Sequence, residues 1–410
     1  MKREWKETKL ASAARAVMGQ SPPSSSYNET GDGLPFFQGK ADFTSFHPSP
    51  SKWCTQPLRL AKKNDILMSV RAPVGDVNMS MESCCIGRGL AALSCNPGTN
   101  PYFLYFLLGS LKAEIEKRGT GTTFLSINKN VLEQLEIHLP SLPEQKKIAA
   151  VLLKIQRAIE TQDRMIQSLR DLKKSTMQHL FTHGLRGEKT KMTEIGEIPE
   201  SWEVVPLKKM GRVGNGSTPK KTNHAYWTNG KIPWLTSGKI HEGIIKAPDQ
   251  FVTLTAQREC HLPTVRKGGL LIAITGQGKT LGNAAIVDFD STMSQHLAYV
   301  QPDNPDMYPP FIWHYLTTKY EALRQIGFGG GSTKGALTCA ALREYPVPCP
   351  KTFGEQKEVA RILTDLDVKN SDHESQKTAH QCLFKTVLNK LMTGELRVAG
   401  LDVDVKEVGV

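Results

Sequence analysis

The sequence predicts an α+β fold: two mixed α/β domains separated by two long antiparallel coiled-coil helices, arranged as a pseudo-two-fold internal repeat. Three observations predict it, namely a repeated segment, a heptad pattern inside each copy, and short strand-like stretches elsewhere. The expected boundaries are residues 1-142 for the first α/β domain, 143-187 for the first helix, 188-350 for the second domain, 351-398 for the second helix and 399-410 for an unstructured tail.

The repeat is clearest in the helical segments. "PEQKKIAAVL" at 143–152 returns as "GEQKEVARIL" at 354–363, and "HLFTHGLRG" at 179–187 returns as "KLMTGELRV" at 390–398. Both matches have an offset of 211 residues, which is the unchanged spacing expected of one uninterrupted element. The segments upstream of each copy match more loosely. This contrast predicts constant helices that act as a scaffold and variable domains that carry specificity.

Each copy carries an apolar seam on alternating four- and three-residue steps, which is typical of a coiled-coil-like helix. An antiparallel pair is expected, because a pseudo-two-fold arrangement buries both seams at once. The centre of the second seam is polar, and it either faces water, fixes the register or contacts another chain. The apolar seam residues are Ile148, Leu152, Ile155, Ile159, Ile166, Leu169 and Leu180 in the first copy and Val359, Leu363, Leu366, Phe384, Val387 and Leu391 in the second; the polar ones are Asn370, His373, Lys377 and His380.

The variable segments combine strand and helix signals. "DILMSV" at 65–70 and "GLLIAIT" at 269–275 read as strands that end in turns containing Gly or Pro. An aromatic-rich helix follows in each segment, at 102–117 and 310–325, and a loop rich in Gly, Thr or Ser comes after it. We interpret the aromatic side chains as core.

Charge and composition limit the classes of function and partner that are expected. The formal net charge is +12 and the pI is about 9.2, which favours a polyanionic partner such as nucleic acid; a basic protein without such a partner is the alternative. The eight cysteines show no CxxC pair and no His-Cys ligand spacing, so a reduced cytoplasmic protein without structural zinc is expected. No apolar run approaches the roughly 20 residues that span a bilayer.

Two enzyme motifs are present only in part. "AITGQGKT" at 273–280 fits a loose phosphate-binding loop, but "LGNAAIVDF" follows it, a turn and a strand where that loop needs a helix. The stretch therefore predicts a strand, a turn and a second strand. "MYPPF" at 307–311 has Tyr308 where an adenine methyltransferase needs Asn, Asp or Ser. The sequence argues against both an ATPase and a fused methyltransferase.

Taken together, these motifs resemble the DNA specificity subunit of type I restriction-modification systems. The similarity extends to about residue 398 and is carried by the duplicated EQ-initiated helices, the "GSTPKKTNHAYWTNGKIPWLTSGKI" segment, the "TGQGKTLGNAAIV" turn and the paired GTG and GGGST loops. The first variable segment departs from the fuller motifs, with "MGQSPPSSSY" and "VRAPVGDVN". Such divergence is expected if each half reads a different DNA sequence.

The resemblance implies that each variable segment is a target recognition domain for one half of a bipartite double-stranded DNA site. It implies that the helices dock two methyltransferase subunits, which restriction and translocase subunits join. The chain itself would be non-catalytic and hold no cofactor, with S-adenosylmethionine, ATP and magnesium on the partner subunits. Two alternatives stay open: a coiled-coil scaffold with duplicated protein-binding domains, and the specificity subunit of a related type II system.

Candidate DNA-binding residues lie in the turns and loops. Gln pairs well with adenine, and Arg or Lys with guanine or phosphate, so the turn in the second half and its counterpart in the first are the leading candidates. The lysines that follow matching glycines are candidates for phosphate contact, as are a basic pair beside aromatic residues and the polar residues of the two Gly-rich loops. The alternative for each is an ordinary solvated surface residue or a flexible linker. The residues are Thr275, Gln277, Lys279 and Arg71 in the turns, Lys40, Lys239, Lys220 and Lys221 among the lysines, and Thr122, Thr123, Thr333 and Lys334 in the loops.

Overall fold

The computed structural model describes residues 5–119, 125–276, 279–329, 335–398 and 400–409. The chain divides into two compact units. Unit 1 comprises Met1–Met165 and His373–Val410, and unit 2 comprises Ile166–Asp372. Each unit therefore combines one variable segment with about half of each long helix.

Unit 1 holds a small α/β domain. Its strands are β1 (Lys6–Lys9), β2 (Ala14–Met18), β3 (Tyr27–Asn28), β4 (Leu34–Phe37), β5 (Trp53–Cys54), β6 (Leu60–Ala61), β7 (Ile66–Ser69), β8 (Val77–Met79), β9 (Cys84–Ile86), β10 (Leu90–Cys95) and β11 (Glu136–Leu139). Its helices are α1 (Leu10–Ala13), α2 (Pro101–Ser110), α3 (Lys112–Lys117) and α4 (Lys129–Glu133), and the first long helix is α5 (Leu142–His183). The central antiparallel sheet has the order β2-β10-β7-β8, beside a sheet ordered β3-β5-β4-β9-β6 and the ribbon β1-β11.

Unit 2 repeats this plan. Its strands are β12 (Thr190–Thr193), β13 (Gly196–Pro199), β14 (Glu203–Pro206), β15 (Gly211–Asn215), β16 (Ile232–Leu235), β17 (Ile244–Ile245), β18 (Gln250–Val252), β19 (Leu270–Ala273), β20 (Ala284–Val287), β21 (Thr292–Met293), β22 (Leu297–Pro302) and β23 (Pro346–Cys349). Its helices are α6 (Leu254–Glu259), α7 (Pro309–Thr318), α8 (Tyr320–Phe328) and α9 (Cys339–Glu344), and the second long helix is α10 (Phe353–Thr393). The main sheet, β15-β22-β19-β20-β17, contains the counterparts of β2, β10, β7 and β8.

The aromatic helices α2 and α7 form the centre of each core, as predicted. Asn100 begins α2 by accepting a hydrogen bond from the Phe103 amide at 3.0 Å, and Pro101 follows at the first helical position. Phe103 and its counterpart Phe311 are fully buried. The mixed α/β character predicted for both variable segments is confirmed.

The two long helices are continuous, and each ends at a glycine. α5 stops at His183 because Gly184 adopts a φ of +67°, and α10 stops at Thr393 before Gly394 at +74°. The prediction of residues 143-187 for the first helix extends a few residues past its observed end, because it included the capping turn.

The long helices pair antiparallel inside each unit. In unit 1, Glu144 of α5 contacts Arg397 beyond the end of α10, whereas Gln162 bonds Gln376 at 3.0 Å. In unit 2, Lys173 of α5 lies 2.5 Å from Asp367 of α10. The partner's residue number falls as the number on α5 rises, so the antiparallel prediction is confirmed.

The polar centre of α10 is directed at α5. His373 Nδ1 lies 2.6 Å from Gln162 Oε1, and Lys377 forms an ion pair with Asp163 at 2.6 Å. His373 stands 211 residues after Gln162, so equivalent positions of the repeat meet here. Of the three roles left open for these residues, fixing the register suits His373 and Lys377, because both contact the first helix.

The tail differs from the prediction of an unstructured segment. Val408 is fully buried, and its carbonyl accepts a hydrogen bond from Asn100 Nδ2 at 2.7 Å. Lys147 of α5 donates to the Leu401 carbonyl at 2.9 Å, and Arg157 pairs with Glu407. The alternating Val and Asp residues after Gly400 therefore place apolar side chains on unit 1 while charged ones face solvent.

Candidate functional site

Each unit brings a sheet turn beside the segment that leaves its Gly-rich loop. In unit 1 the turn follows β7, and Arg71 forms a β-bridge with Ser126; the Ile127 amide donates to the Val70 carbonyl at 2.9 Å. In unit 2 the turn follows β19, where Thr275 bridges Ala336. The two predicted reading elements of each half thus lie side by side.

Some predicted residues fall outside the described part of the chain. Gln277 belongs to the unit 2 turn, and the others belong to the Gly-rich loops. The residues concerned are Thr122, Thr123, Gln277, Thr333 and Lys334, and their roles stay predictions.

The unit 2 turn connects two antiparallel strands. β19 pairs with β20 from Leu270 opposite Ile286 to Ile272 opposite Ala284, and within the described residues a turn and a strand follow Thr280. Asp288 forms an ion pair with Lys267 at 2.8 Å. The prediction of strand, turn and strand is confirmed, and the geometry does not match a phosphate-binding loop.

The side chains of this turn differ in their exposure to solvent and in their hydrogen-bonding neighbours. Lys279 is exposed, whereas Thr275 is half-buried with its Oγ1 2.6 Å from His296 Nδ1. His296 is itself exposed, and its approach to the turn has no signature in the sequence, because 21 residues separate it from Thr275. A second histidine, His241, lies with Nε2 3.4 Å from Thr280 Oγ1. The turn therefore offers a cation and several hydrogen-bonding groups at one edge of the sheet.

The unit 1 turn contains an internal hydrogen bond and forms ion pairs with two lysines. Arg71 is exposed, and its carbonyl accepts a hydrogen bond from Ser69 Oγ at 2.9 Å. Asp76, at the end of the turn, is paired with Lys40 at 2.8 Å and Lys112 at 2.7 Å. Burial alone would raise the pKa of Asp76, but the hydrogen bonds from the two lysines outweigh it and lower that pKa.

The other predicted lysines of unit 2 each have a protein partner or lie at the surface. Lys239 forms an ion pair with Glu242 at 2.6 Å. Lys220 is exposed, and the ammonium of Lys221 lies 3.9 Å from the ring centroid of Trp227. Basic groups held beside aromatic faces are suited to contact with a phosphate backbone.

Of the described predicted residues, Lys239 and Thr275 are half-buried and the others are exposed. A cavity of about 1140 Å³ in unit 2 is lined by Lys173, Tyr315, Lys319 and Asp367 among others, and by none of the predicted residues. Among the described residues, no cluster of His, Cys, Asp or Glu has the arrangement of a metal site. No helix in that part of the chain is long and apolar enough to cross a membrane.

Comparison with known proteins gives a consistent set of relatives. The putative type I restriction enzyme MjaX specificity subunit of Methanocaldococcus jannaschii is 42% identical over 186 residues, which is 45% of this chain and 44% of that protein. The chain thus spans less than half the length of that relative. The MjaIX specificity subunit of the same organism is 23% identical over 420 residues, covering 97% of this chain and 95% of that protein.

A solved structure shares the fold. The S subunit of a type I restriction-modification system from M. genitalium superposes with a TM-score of 0.67 at 20% identity, covering 95% of this chain and 96% of that one. The family model described as "Type I restriction modification DNA specificity domain" matches residues 2–170 and 199–380, which is most of the sequence. The chain therefore belongs to the family of type I restriction-modification DNA specificity subunits.

Proposed function

We propose that this protein is the non-catalytic subunit that selects the DNA target of a type I restriction-modification complex. Each unit would read one half of a bipartite duplex site, and the long helices would hold two methyltransferase subunits, through which restriction subunits join. S-adenosylmethionine, ATP and magnesium would be bound by those partners in the cytoplasm. Family membership supports the class of function, and the presence of two similar units in one chain supports the bipartite site.

The carrying observation is the repeated turn. Both units place a turn with an exposed basic side chain, Arg71 in one and Lys279 in the other, at the same position of an equivalent sheet. Turns that project cationic and polar groups can enter a groove and contact base edges. A scaffold for protein partners needs neither the basic turns nor the net charge of +12.

The test is selection from a random duplex pool by the chain co-purified with its methyltransferase partner at physiological salt. We expect two short motifs at a fixed spacing. Salt-sensitive binding that enriches no motif would contradict the proposal, because phosphate contacts alone give affinity without sequence preference. That outcome would favour the scaffold.

A further inference from the structure

One helix in each unit braces the predicted reading turn from an equivalent position. In unit 1, α3 starts at Lys112, eleven residues after the first residue of α2, Pro101. In unit 2, α8 starts at Tyr320, eleven residues after the first residue of α7, Pro309. Lys112 and Tyr320 therefore occupy the same position of the repeat and carry different chemistry.

The unit 1 brace is ionic. Lys112 Nζ lies 2.7 Å from Asp76 Oδ1, and Lys40 Nζ lies 2.8 Å from Asp76 Oδ2. Glu116 is a weaker third partner, 3.9 Å from Lys112. The Asp76 carbonyl in turn accepts a hydrogen bond from the Ser69 amide at 2.8 Å, which closes the turn that presents Arg71. A charged pair thus fixes the end of the turn against α3.

The unit 2 brace is a neutral hydrogen bond. Tyr320 Oη donates to the Lys279 carbonyl at 2.9 Å, and Arg324 Nη1 donates to Tyr320 Oη at 2.9 Å. Asn283, which follows Gly282 as Asp76 follows Gly75, donates from Nδ2 to the same Lys279 carbonyl at 2.5 Å and to the Thr280 carbonyl at 3.2 Å. Within the described residues, the same end of the turn is therefore held on α8 by hydrogen bonds.

Each turn packs closely against its bracing residue at a glycine. Gly75 and Gly282 have φ values of +87° and +88°. A Cβ on Gly75 would lie 3.3 Å from Lys112 Cγ, and one on Gly282 would lie 3.0 Å from the Tyr320 carbonyl. A glycine in the left-handed region thus lets each turn approach the bracing residue closely.

We propose that Lys112 and Tyr320 are positioning residues for base reading, each for the half-site read by its own unit; this rests on the proposed function. They act through Asp76 and the Lys279 backbone and set where Arg71 and Lys279 meet the DNA. Because salt screens partly exposed ion pairs, the preference of unit 1 for its half-site falls with ionic strength more steeply than that of unit 2.

The experiment compares Lys112→Met with Tyr320→Phe in the complete complex with the methyltransferase. Selection from a random duplex pool measures base preference at each half-site separately. We expect each variant to lose about three- to tenfold of base preference in one half-site and to leave the other unchanged, which is the scale of one hydrogen bond. The two variants must affect different half-sites, so each is the control for the other.

Further variants separate positioning from other roles. Lys112→Arg keeps the ion pair and should retain the wild-type motif. Lys117→Met removes the same charge from α3, but Lys117 is not among the ion-pair partners of Asp76 in the described structure, so its motif should also be unchanged. Should Lys112→Met not fold, Asp76→Asn breaks the same pair from the other side and should weaken the same half-site.

Three outcomes overturn the inference. A wild-type motif that survives both substitutions overturns it and leaves the proposed function intact. A uniform loss of affinity with unchanged base preference, together with a salt slope reduced by about one, would assign Lys112 to phosphate contact instead. A wild-type complex that enriches no motif overturns the proposed function and this inference with it.

Discussion

At the residue scale, His314 shows how one position of the repeat has changed its chemistry. It lies on α7 and is fully buried, where the equivalent position of α2 carries Phe106. Its Nε2 lies 3.1 Å from Thr364 Oγ1. Burial, reinforced by the charge of Lys173, lowers the pKa of His314 to about 3, so the ring is neutral in the folded protein.

This histidine predicts acid sensitivity of the fold. The unfolded chain binds a proton on His314 below the ordinary pKa of 6.5, whereas the folded chain does so only near 3, so this contribution to stability is complete above pH 6.5 and is lost as pH falls. The loss is about 1.4 kcal/mol per pH unit. Between about pH 7.5 and 5, the range in which a histidine titrates, the melting temperature should fall less for His314→Phe than for wild type. Thermal unfolding measures this.

The control is His179→Phe, since His179 is exposed on α5. It should follow the wild-type pH dependence. Equal slopes for wild type and His314→Phe would mean that the buried ring is not what makes the fold acid-sensitive.

Arg71 and Lys220 should behave differently when each is replaced by Ala. Arg71 is exposed on the unit 1 turn, so Arg71→Ala should remove about 1–3 kcal/mol of discrimination at one base position. Lys220 is exposed beside Trp227, and Lys220→Ala should weaken binding to all sequences alike and lower the salt slope by about one. Titration of matched and mismatched duplexes at several salt concentrations distinguishes the two effects. A uniform loss of affinity for Arg71→Ala, together with a loss of base discrimination for Lys220→Ala, would contradict base contact by the turn.

At the element scale, a buried glutamine joins each long helix to the aromatic helix of its unit. Gln145 of α5 accepts a hydrogen bond from the Asn100 amide at 2.8 Å and donates to the Pro140 carbonyl at 2.9 Å. Gln356 of α10 accepts one from the Tyr308 amide at 2.8 Å and donates to the Asp306 carbonyl at 2.9 Å. The glutamine of the repeated EQ pair thus has a structural reason in both copies.

Replacing either glutamine by Leu should destabilise the protein. Gln145→Leu leaves a buried amide and a buried carbonyl without this partner, which costs about 1–3 kcal/mol. The hydrogen bonds of Gln356 are only part-buried, so Gln356→Leu should cost less, near the lower end of that range. Urea unfolding of each variant measures the loss. Gln167→Leu is the matched control, because Gln167 is exposed on α5 and bonds only Asp171 in the described contacts, so its effect should stay within about 0.5 kcal/mol.

Local spacing predicted the elements better than the contacts between them. The heptads indicated α5 to within a few residues, since helix periodicity is a local property. The turn after β19 was also predictable from local sequence, because "LGNAAIV" does not favour the start of a helix. The packing of the tail through Val408 was not, because its partner Asn100 lies 308 residues away.

For the candidate site too, local features were predictable from sequence and long-range contacts were not. Arg71 and Lys279 were identified because turn residues of the right chemistry stand after strands, and both are exposed in the structure. The pairing of Lys40 with Asp76, and the hold of Tyr320 on Lys279, depend on the tertiary fold and have no signature in residue spacing. Sequence therefore predicted candidate residues for DNA contact, and the structure added the contacts that we propose position them.

At the scale of the whole molecule, the repeat produces two units with the same fold and different side chains in their turns. The sheets, aromatic helices and glutamine contacts are shared, while the turns and their braces differ. A common scaffold with divergent turns is what a protein needs to read two unlike half-sites. We propose that each unit reads its own half-site independently of the other.

Exchange of one variable segment tests that claim most directly. Residues 6–139 would be replaced by the corresponding segment of the MjaIX specificity subunit, with which the chain aligns over 97% of its length. The chimera and the wild type would be co-expressed with the methyltransferase partner, and methylated positions in the host DNA would be mapped. We predict that one half of the methylated motif changes while the other half is retained. Simultaneous change of both halves, or a motif that is unaffected by the exchange in a folded and active complex, would contradict separate reading by the two units.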